Sequence, residues 1–212
     1  MDVVNNLEQI NQWTQHLEQW KGTVTQYKAQ LESYKRQLAT ATGTRNVESF
    51  LRQAKSLSAD LDKLQRNGIS LNDLLTNNGA FNSTLNALYG KYKMFDSCDA
   101  TQAKSYADTC KQIVINRAVA VEDTTAVQQQ IIRAVSDISN LASRVEMSQD
   151  AKESQDLANA INAKSVHLNA LTTQWEMGVK QSELRDQMLV VQRQEAFQQQ
   201  QLNAPVADLN NL

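Results

Sequence analysis

Hydrophobic residues recur every seven positions through the first forty residues of the chain. One set is Ile10, Leu17, Val24, Leu31 and Leu38, and a second set, three residues further on, is Trp13, Trp20, Tyr27 and Tyr34. Together the two sets fill the a and d positions of a heptad, which predicts one long helix over residues 3–41. Bulky aromatic residues at every d position favour packing against more than one partner helix.

Glycine residues predict where this helical pattern is interrupted. Gly43 suits the end of the first helix, and a second helix is then predicted as far as Gly68. Three of the six glycines lie between residues 67 and 97, which leaves room there only for short helices, predicted at 70–75 and 80–89. We therefore expect a compact appendage in this part of the chain.

The heptad pattern returns in the second half of the chain. The β-prone run 113–121 lacks clean alternation, and we interpret it as helical. Glu122-Asp123-Thr124 predicts a helix start, and 148–152 predicts a tight turn. The apolar positions of the two helices on either side of that turn are Val127, Ile131, Ala134, Ile138, Leu141, Val145, Leu157, Ile161, Leu168, Leu171 and Trp175.

The apolar frame changes beyond Gly178. There the heptad spacing passes to Met177, Leu184 and Val191, with Met188 beside them. A change of this kind rotates the seam, and we expect the partner helices to end or change near Gly178.

These patterns predict an all-α protein. With 6 Gly and 1 Pro in 212 residues, the turns that a sandwich or barrel needs are largely missing. The expected architecture is an elongated three-helix bundle (1–66 and 122–202), a smaller and mostly helical appendage (67–121) and a flexible tail (203–212). Its core is predicted to include Leu17, Leu31, Ile131, Ile138, Leu168 and Leu171.

Charge and hydropathy exclude several classes of partner. The chain has 21 basic and 23 acidic residues without long runs of one sign, which predicts no nucleic-acid interface. Its apolar stretches are far shorter than the roughly 20 residues that span a bilayer, so we expect no membrane-spanning segment. The start at Met1-Asp2 shows no secretory leader, as expected either of a protein that is not exported or of a mature exported form.

No constellation of catalytic residues is recognisable. Gly90-Lys91 lacks the earlier glycine of a phosphate-binding loop, since Leu85 stands there, and no serine elbow or dinucleotide motif occurs. His16 and His167 lie on separate predicted helices, and two cysteines without a nearby histidine do not make a zinc site. We therefore predict no enzymatic activity, no metal and no cofactor.

The two cysteines, Cys98 and Cys110, share one polar segment at the end of the predicted appendage. On one continuous helix they would lie about 18 Å apart, whereas a disulfide needs Cα atoms about 4.4 to 6.8 Å apart. A bridge therefore requires a turn between them. We favour this disulfide, which implies an oxidising compartment. The alternative is two reduced, unrelated cysteines in a cytosolic protein.

Aromatic residues cluster in the same appendage. Tyr89, Tyr92 and Phe95 lie beside Lys91 and Lys93. Their more frequent role would be the small core of the appendage. On the alternative interpretation they are interface anchors, because tyrosine with flanking cations is common at binding surfaces, and all three are then candidate partner-binding residues.

Three segments carry a resemblance to a known family. They are residues 2–6 with the glutamine-rich heptad helix that follows, LATATGTRNVESFL at 38–51, and QRQEAFQQQQL at 192–202. This arrangement resembles the minor pilins of type IV secretion systems, the pilus-tip components of conjugation machines. Within it, Thr42-Gly43-Thr44-Arg45 is the part that looks like a family motif.

The resemblance implies a non-enzymatic protein that is exported to the periplasm through a cleaved leader and carried on the extracellular pilus. It also implies a three-helix bundle with a smaller appendage, acting in pilus assembly and cell adhesion. The implied partners are pilus subunits, other secretion-channel proteins and the surface of the recipient cell. The competing hypothesis is a cytosolic coiled-coil adaptor or chaperone that binds a partner helix through the same heptads.

Overall fold

A computed structural model describes residues 2–44, 46–76, 82–98, 104–148 and 151–204. Within these ranges the chain forms six α-helices and one 3-10 helix, and no β-strand occurs in them. The predicted all-α bundle is confirmed, with α5 and α6 packed closely together. The elements are α1 (Asp2–Ala41), α2 (Val47–Arg66), α3 (Leu71–Thr76), α4 (Asn82–Lys91), the 3-10 helix (Lys93–Ser97), α5 (Lys104–Met147) and α6 (Ala151–Leu202).

Some of the predictions fall outside the described residues. These are the burial of Leu17, the packing of Trp13 and Trp20, the surroundings of His16, and the tail beyond residue 204.

Local side-chain chemistry explains where the first helices end and begin. Gly43 adopts a φ of 76°, which only glycine reaches without strain, and the hydroxyls of Thr42 and Thr44 both donate to the carbonyl of Ala39. Asn46 then caps α2, because its side-chain oxygen accepts a 2.9 Å hydrogen bond from the amide of Ser49. The end of α1 and the beginning of α2 are therefore both encoded by neighbouring residues.

The predicted helix start at 122–124 is wrong, because α5 runs without a break from Lys104 to Met147. Thr124 is buried within α5, and its hydroxyl accepts a 3.1 Å hydrogen bond from the indole nitrogen of Trp175 on α6. Threonine often caps the start of a helix, but Thr124 lies in the interior of α5 and its hydroxyl contacts a neighbouring helix.

The chain divides into two compact units, and the first comprises Met1–Lys35 and Asp123–Gly178. Its buried apolar residues come from the predicted heptad positions of α1, α5 and α6. They form two apolar clusters, one of Val24, Leu31, Val127, Ile131, Ala134, Leu168 and Leu171, and one of Ile138, Val145, Leu157 and Ile161.

The second unit comprises Arg36–Glu122 and Val179–Leu212. Its core gathers side chains from α2, α3, α4, the 3-10 helix and α5, with Leu189 of α6 fully buried among them. The predicted appendage, residues 67–121, lies entirely within this unit, and its outline as a separate body stays a prediction.

The burial pattern of α6 beyond Gly178 corrects the predicted seam. Leu184, Met188 and Val191 are exposed, and the buried positions are Ser182 and Leu189. The seven-residue spacing from Leu168 through Trp175 to Ser182 and Leu189 thus continues without a change of frame. Of these two buried positions Ser182 is polar, and its carbonyl accepts a hydrogen bond from Asn116 of α5.

Candidate functional site

The 3-10 helix and the residues before it alternate between buried and exposed side chains. Tyr92, Met94 and Phe95 are buried, whereas the other four side chains from position 91 to position 97 are exposed. We call these exposed residues the ridge; they are Lys91, Lys93, Asp96 and Ser97. Two cations, a carboxylate and a hydroxyl are therefore displayed within seven consecutive residues.

The segment that carries the ridge is attached to α2 at two points. The side-chain oxygen of Gln53 accepts a 3.1 Å hydrogen bond from the amide of Met94. The hydroxyl of Tyr92 donates a 2.6 Å hydrogen bond to Oδ2 of Asp60. Because both anchors lie on one helix, the 3-10 helix is fixed against α2 by main-chain and side-chain contacts together.

Asp60 is the electrostatic centre of this attachment. Its carboxylate also accepts a 2.5 Å hydrogen bond from Nζ of Lys91 and a 3.3 Å hydrogen bond from Nζ of Lys63. The hydrogen bonds from Lys91, Tyr92 and Lys63 stabilise the ionised form, so the pKa of Asp60 falls to about 2. The carboxylate thus stays charged throughout the physiological pH range.

The three aromatic residues that are candidate partner-binding residues contribute to the core of the second unit, which is the alternative role considered for them. Tyr92 and Phe95 are 5% and 4% exposed, and Tyr89 is partly buried against them. The ring centroids of Tyr89 and Phe95 lie 4.7 Å apart in an edge-on arrangement. A role of these rings in partner binding stays a prediction. They would contribute to it by supporting the exposed residues of the ridge.

Tyr89 is also covered by a cation from α5. Nζ of Lys111 lies 4.3 Å from the centroid of the Tyr89 ring. Burial raises the pKa of the Tyr89 hydroxyl well above its ordinary value, and the charge of Asp108 adds to this effect. The phenol therefore remains neutral at physiological pH, and the Tyr89 ring contributes to the packing of the core.

A disulfide joins the end of the 3-10 helix to α5. Cys98 and Cys110 are bonded, with Cα atoms 5.7 Å apart, and both side chains are buried. The residues 99–103 between them lie outside the described part of the chain. With the two contacts to α2, this bond is the third attachment of the ridge segment.

Polar contacts between α5 and α6 in the second unit had no counterpart in the sequence predictions. The side-chain amide of Asn116 donates a 3.0 Å hydrogen bond to the carbonyl of Ser182, and Arg117 pairs with Asp186 at 2.7 Å. We call these four residues the polar layer. The heptad pattern gave no signal for it, because the predicted seam beyond Gly178 was placed at Leu184 and Val191 and not at Ser182.

Side chains that commonly bind metal ions are not clustered among the described residues. No group of three or more histidine, cysteine, aspartate or glutamate side chains is arranged there to hold a metal ion. His167 is exposed on α6. Among the described residues, no helix has the length and apolar character that crossing a membrane requires.

A family model for type IV secretion system proteins matches residues 1–204. The match covers nearly the whole chain, and the protein therefore belongs to this family. Comparison with curated proteins and comparison with solved structures each gave no significant match.

Proposed function

We propose that the protein is a non-enzymatic, minor pilin-like component of a conjugative type IV secretion apparatus. In this role it is exported to the periplasm, joins the extracellular pilus, and acts in pilus assembly and contact with the recipient cell. Its partners are pilus subunits and other secretion-channel proteins. The observation that carries the proposal is the family match over residues 1–204.

The bridged cysteines support export over the cytosolic adaptor hypothesis. Disulfides persist in oxidising compartments such as the periplasm and are rare in the cytosol. The bond between Cys98 and Cys110 is the covalent attachment of the ridge segment, so an oxidising compartment favours the folded form that contains this bond.

The ridge supports a role in binding. Its side chains are exposed, whereas the residues beneath them are fixed by Gln53, Asp60 and the disulfide. A surface held in one conformation loses less entropy when a partner binds. Mixed charges on such a surface favour a protein partner with a complementary pattern, and they steer its approach.

The test is complementation of cells that lack the protein. Lys93→Glu and Asp96→Lys change exposed ridge charges that have no ion-pair partner among the described residues. We expect each change to reduce DNA transfer at least about tenfold while the protein level in the periplasm stays normal. The reason is that a reversed charge repels the partner without disturbing the fold.

Matched controls are available on α2 in the same unit. Lys55→Glu and Asp62→Lys make the same charge changes at exposed positions away from the ridge, and we expect near-normal transfer. Equal effects of ridge and control variants would contradict a binding role for the ridge. Transfer at the wild-type level in cells without the protein, or its recovery in the cytosol, would contradict the proposed function itself.

A further inference from the structure

The outer face of α6 in the second unit carries exposed apolar side chains. Leu184, Met188 and Val191 are 66%, 41% and 52% exposed. Their spacing of four and three residues places them on one side of the helix, within about 60° of one another. Leu189, which is fully buried, faces away from them. We call the three exposed residues the outer stripe.

Two opposite charges flank the outer stripe. Lys180 lies four residues before Leu184, and Glu195 lies four residues after Val191. Both are exposed, and neither has an ion-pair partner within the described residues. By helical geometry both project on the same side as the stripe. The face therefore reads, along the chain, as positive, apolar and negative.

The residues on this face are spaced symmetrically about one point in the sequence. Leu184 and Val191 are equally distant from a point between Gln187 and Met188, and so are Lys180 and Glu195. An antiparallel copy of the same helix, rotated about that point, sets Leu184 against Val191 and Lys180 against Glu195, each contact occurring twice. Such a self-complementary surface is what a two-fold interface between identical chains requires.

We propose that the outer stripe of α6 is a self-association surface, which binds the same face of a second copy of this chain in antiparallel orientation. Burial of the apolar side chains drives the association. The two Lys180–Glu195 pairs set its orientation, because parallel helices would bring like charges together. Glutamines 181, 187 and 194 border the stripe and provide polar edges that need no fixed partner. The proposal is independent of the function proposed above.

Sedimentation of the full, disulfide-bonded chain over a range of concentrations tests the proposal. We expect a reversible shift from 23.8 kDa towards twice that mass as the concentration rises. Leu184→Gln and Val191→Gln should each weaken the association at least about tenfold. Val166→Gln, which alters an exposed apolar residue of α6 outside this stripe, is the control and should leave the association unchanged.

Charge reversal tests the orientation. Lys180→Glu alone places two negative charges opposite each other, Glu195→Lys alone places two positive charges opposite each other, and both variants should be monomeric. The double variant should recover self-association. An equimolar mixture of the two single variants should form a heterodimer, because each then offers the charge that the other lacks. Circular dichroism confirms that each variant remains folded.

Several outcomes would overturn the proposal. A wild-type chain that stays monomeric at every concentration excludes self-association through the stripe. That result would also be obtained if the stripe bound a helix of a different protein, and it would overturn the proposal in that case too. A dimer that the control variant weakens as much as Leu184→Gln uses another surface. A mixture of single variants that stays monomeric excludes the antiparallel orientation.

Discussion

The guanidinium of Arg117 on α5 pairs with the carboxylate of Asp186 on α6, with Nε and Nη2 donating at 3.0 and 2.7 Å. Both side chains are largely buried. Arg117 also donates from Nη1 to the carbonyl of Ala41, the last residue of α1. One side chain thus satisfies an unpaired helix-end carbonyl and a carboxylate, and it ties three helices of the second unit together.

Removing one member of this pair should leave the other without its partner. We expect Arg117→Met and Asp186→Asn each to lower the free energy of unfolding by about 1 to 3 kcal/mol. In the double variant the combined loss should be clearly less than the sum, since no lone charge remains. Urea unfolding of all four proteins measures the coupling. Strictly additive losses would show that the pair does not interact.

Apolar packing should dominate the stability of the first unit. Leu31 and Ile138 are buried, and replacing either with alanine should cost about 2 to 5 kcal/mol because a cavity remains. Ile132→Ala is the matched control for Ile138, since Ile132 is 43% exposed, and it should cost no more than about 1 kcal/mol. Thermal and urea unfolding provide the comparison. Similar losses at positions 132 and 138 would refute the described packing.

The disulfide can be tested by mass spectrometry. Protein isolated from its native compartment and alkylated in denaturant without reductant should take up no alkyl group on Cys98 or Cys110. Two added groups would show free thiols and would remove the support for export. Replacing both cysteines with serine should lower the free energy of unfolding by about 3 kcal/mol, because the bond constrains the unfolded chain.

The stability of the second unit should depend on pH through Asp60. The pKa of Asp60 is about 2 in the folded chain, below the ordinary aspartate value of 3.8, so the ionised carboxylate stabilises the fold at pH values above the pKa of the unfolded chain. This contribution is lost as the pH falls from about 4 towards 2. Asp60→Asn should therefore be less stable than wild type near neutral pH, and the difference should shrink in acid.

Urea unfolding of wild type and Asp60→Asn at several pH values measures this effect. Asp62→Asn, which removes an exposed carboxylate from the same helix, should differ little from wild type near neutral pH. A difference between Asp60→Asn and wild type that stays constant down to the lowest pH would argue against the proposed ionic role.

The sequence predicted the helices of this protein wherever apolar spacing and glycine acted together. The heptads of α1 and the break at Gly43 correspond to a helix that ends at Ala41. Gly68, with a φ of 85°, similarly follows the end of α2 at Arg66. Local signals suffice in these cases, because the backbone conformation there depends on neighbouring residues alone.

Burial along α6 could not be predicted in this way. Apolarity favoured Leu184 and Val191 as seam residues, yet Ser182 is the buried residue, and the side-chain amide of Asn116 on α5 donates to its carbonyl at 3.0 Å and to its hydroxyl at 3.5 Å. Which side of a helix is inside depends on residues more than sixty positions away. The role of Asp60 could not be predicted for the same reason. Its hydrogen-bond partners Lys91 and Tyr92 lie about thirty residues further along the chain.

The bond between Cys98 and Cys110 also determines how the chain would respond to mechanical tension. A pulling force transmitted along the backbone passes through the sulfur atoms and bypasses the residues between the two cysteines, which span a sequence separation of 12. At about 3.4 Å per residue, roughly 40 Å of contour length is withheld from extension. The ridge segment ends at this bond, so stretching cannot lengthen its connection to α5 while the bond is intact.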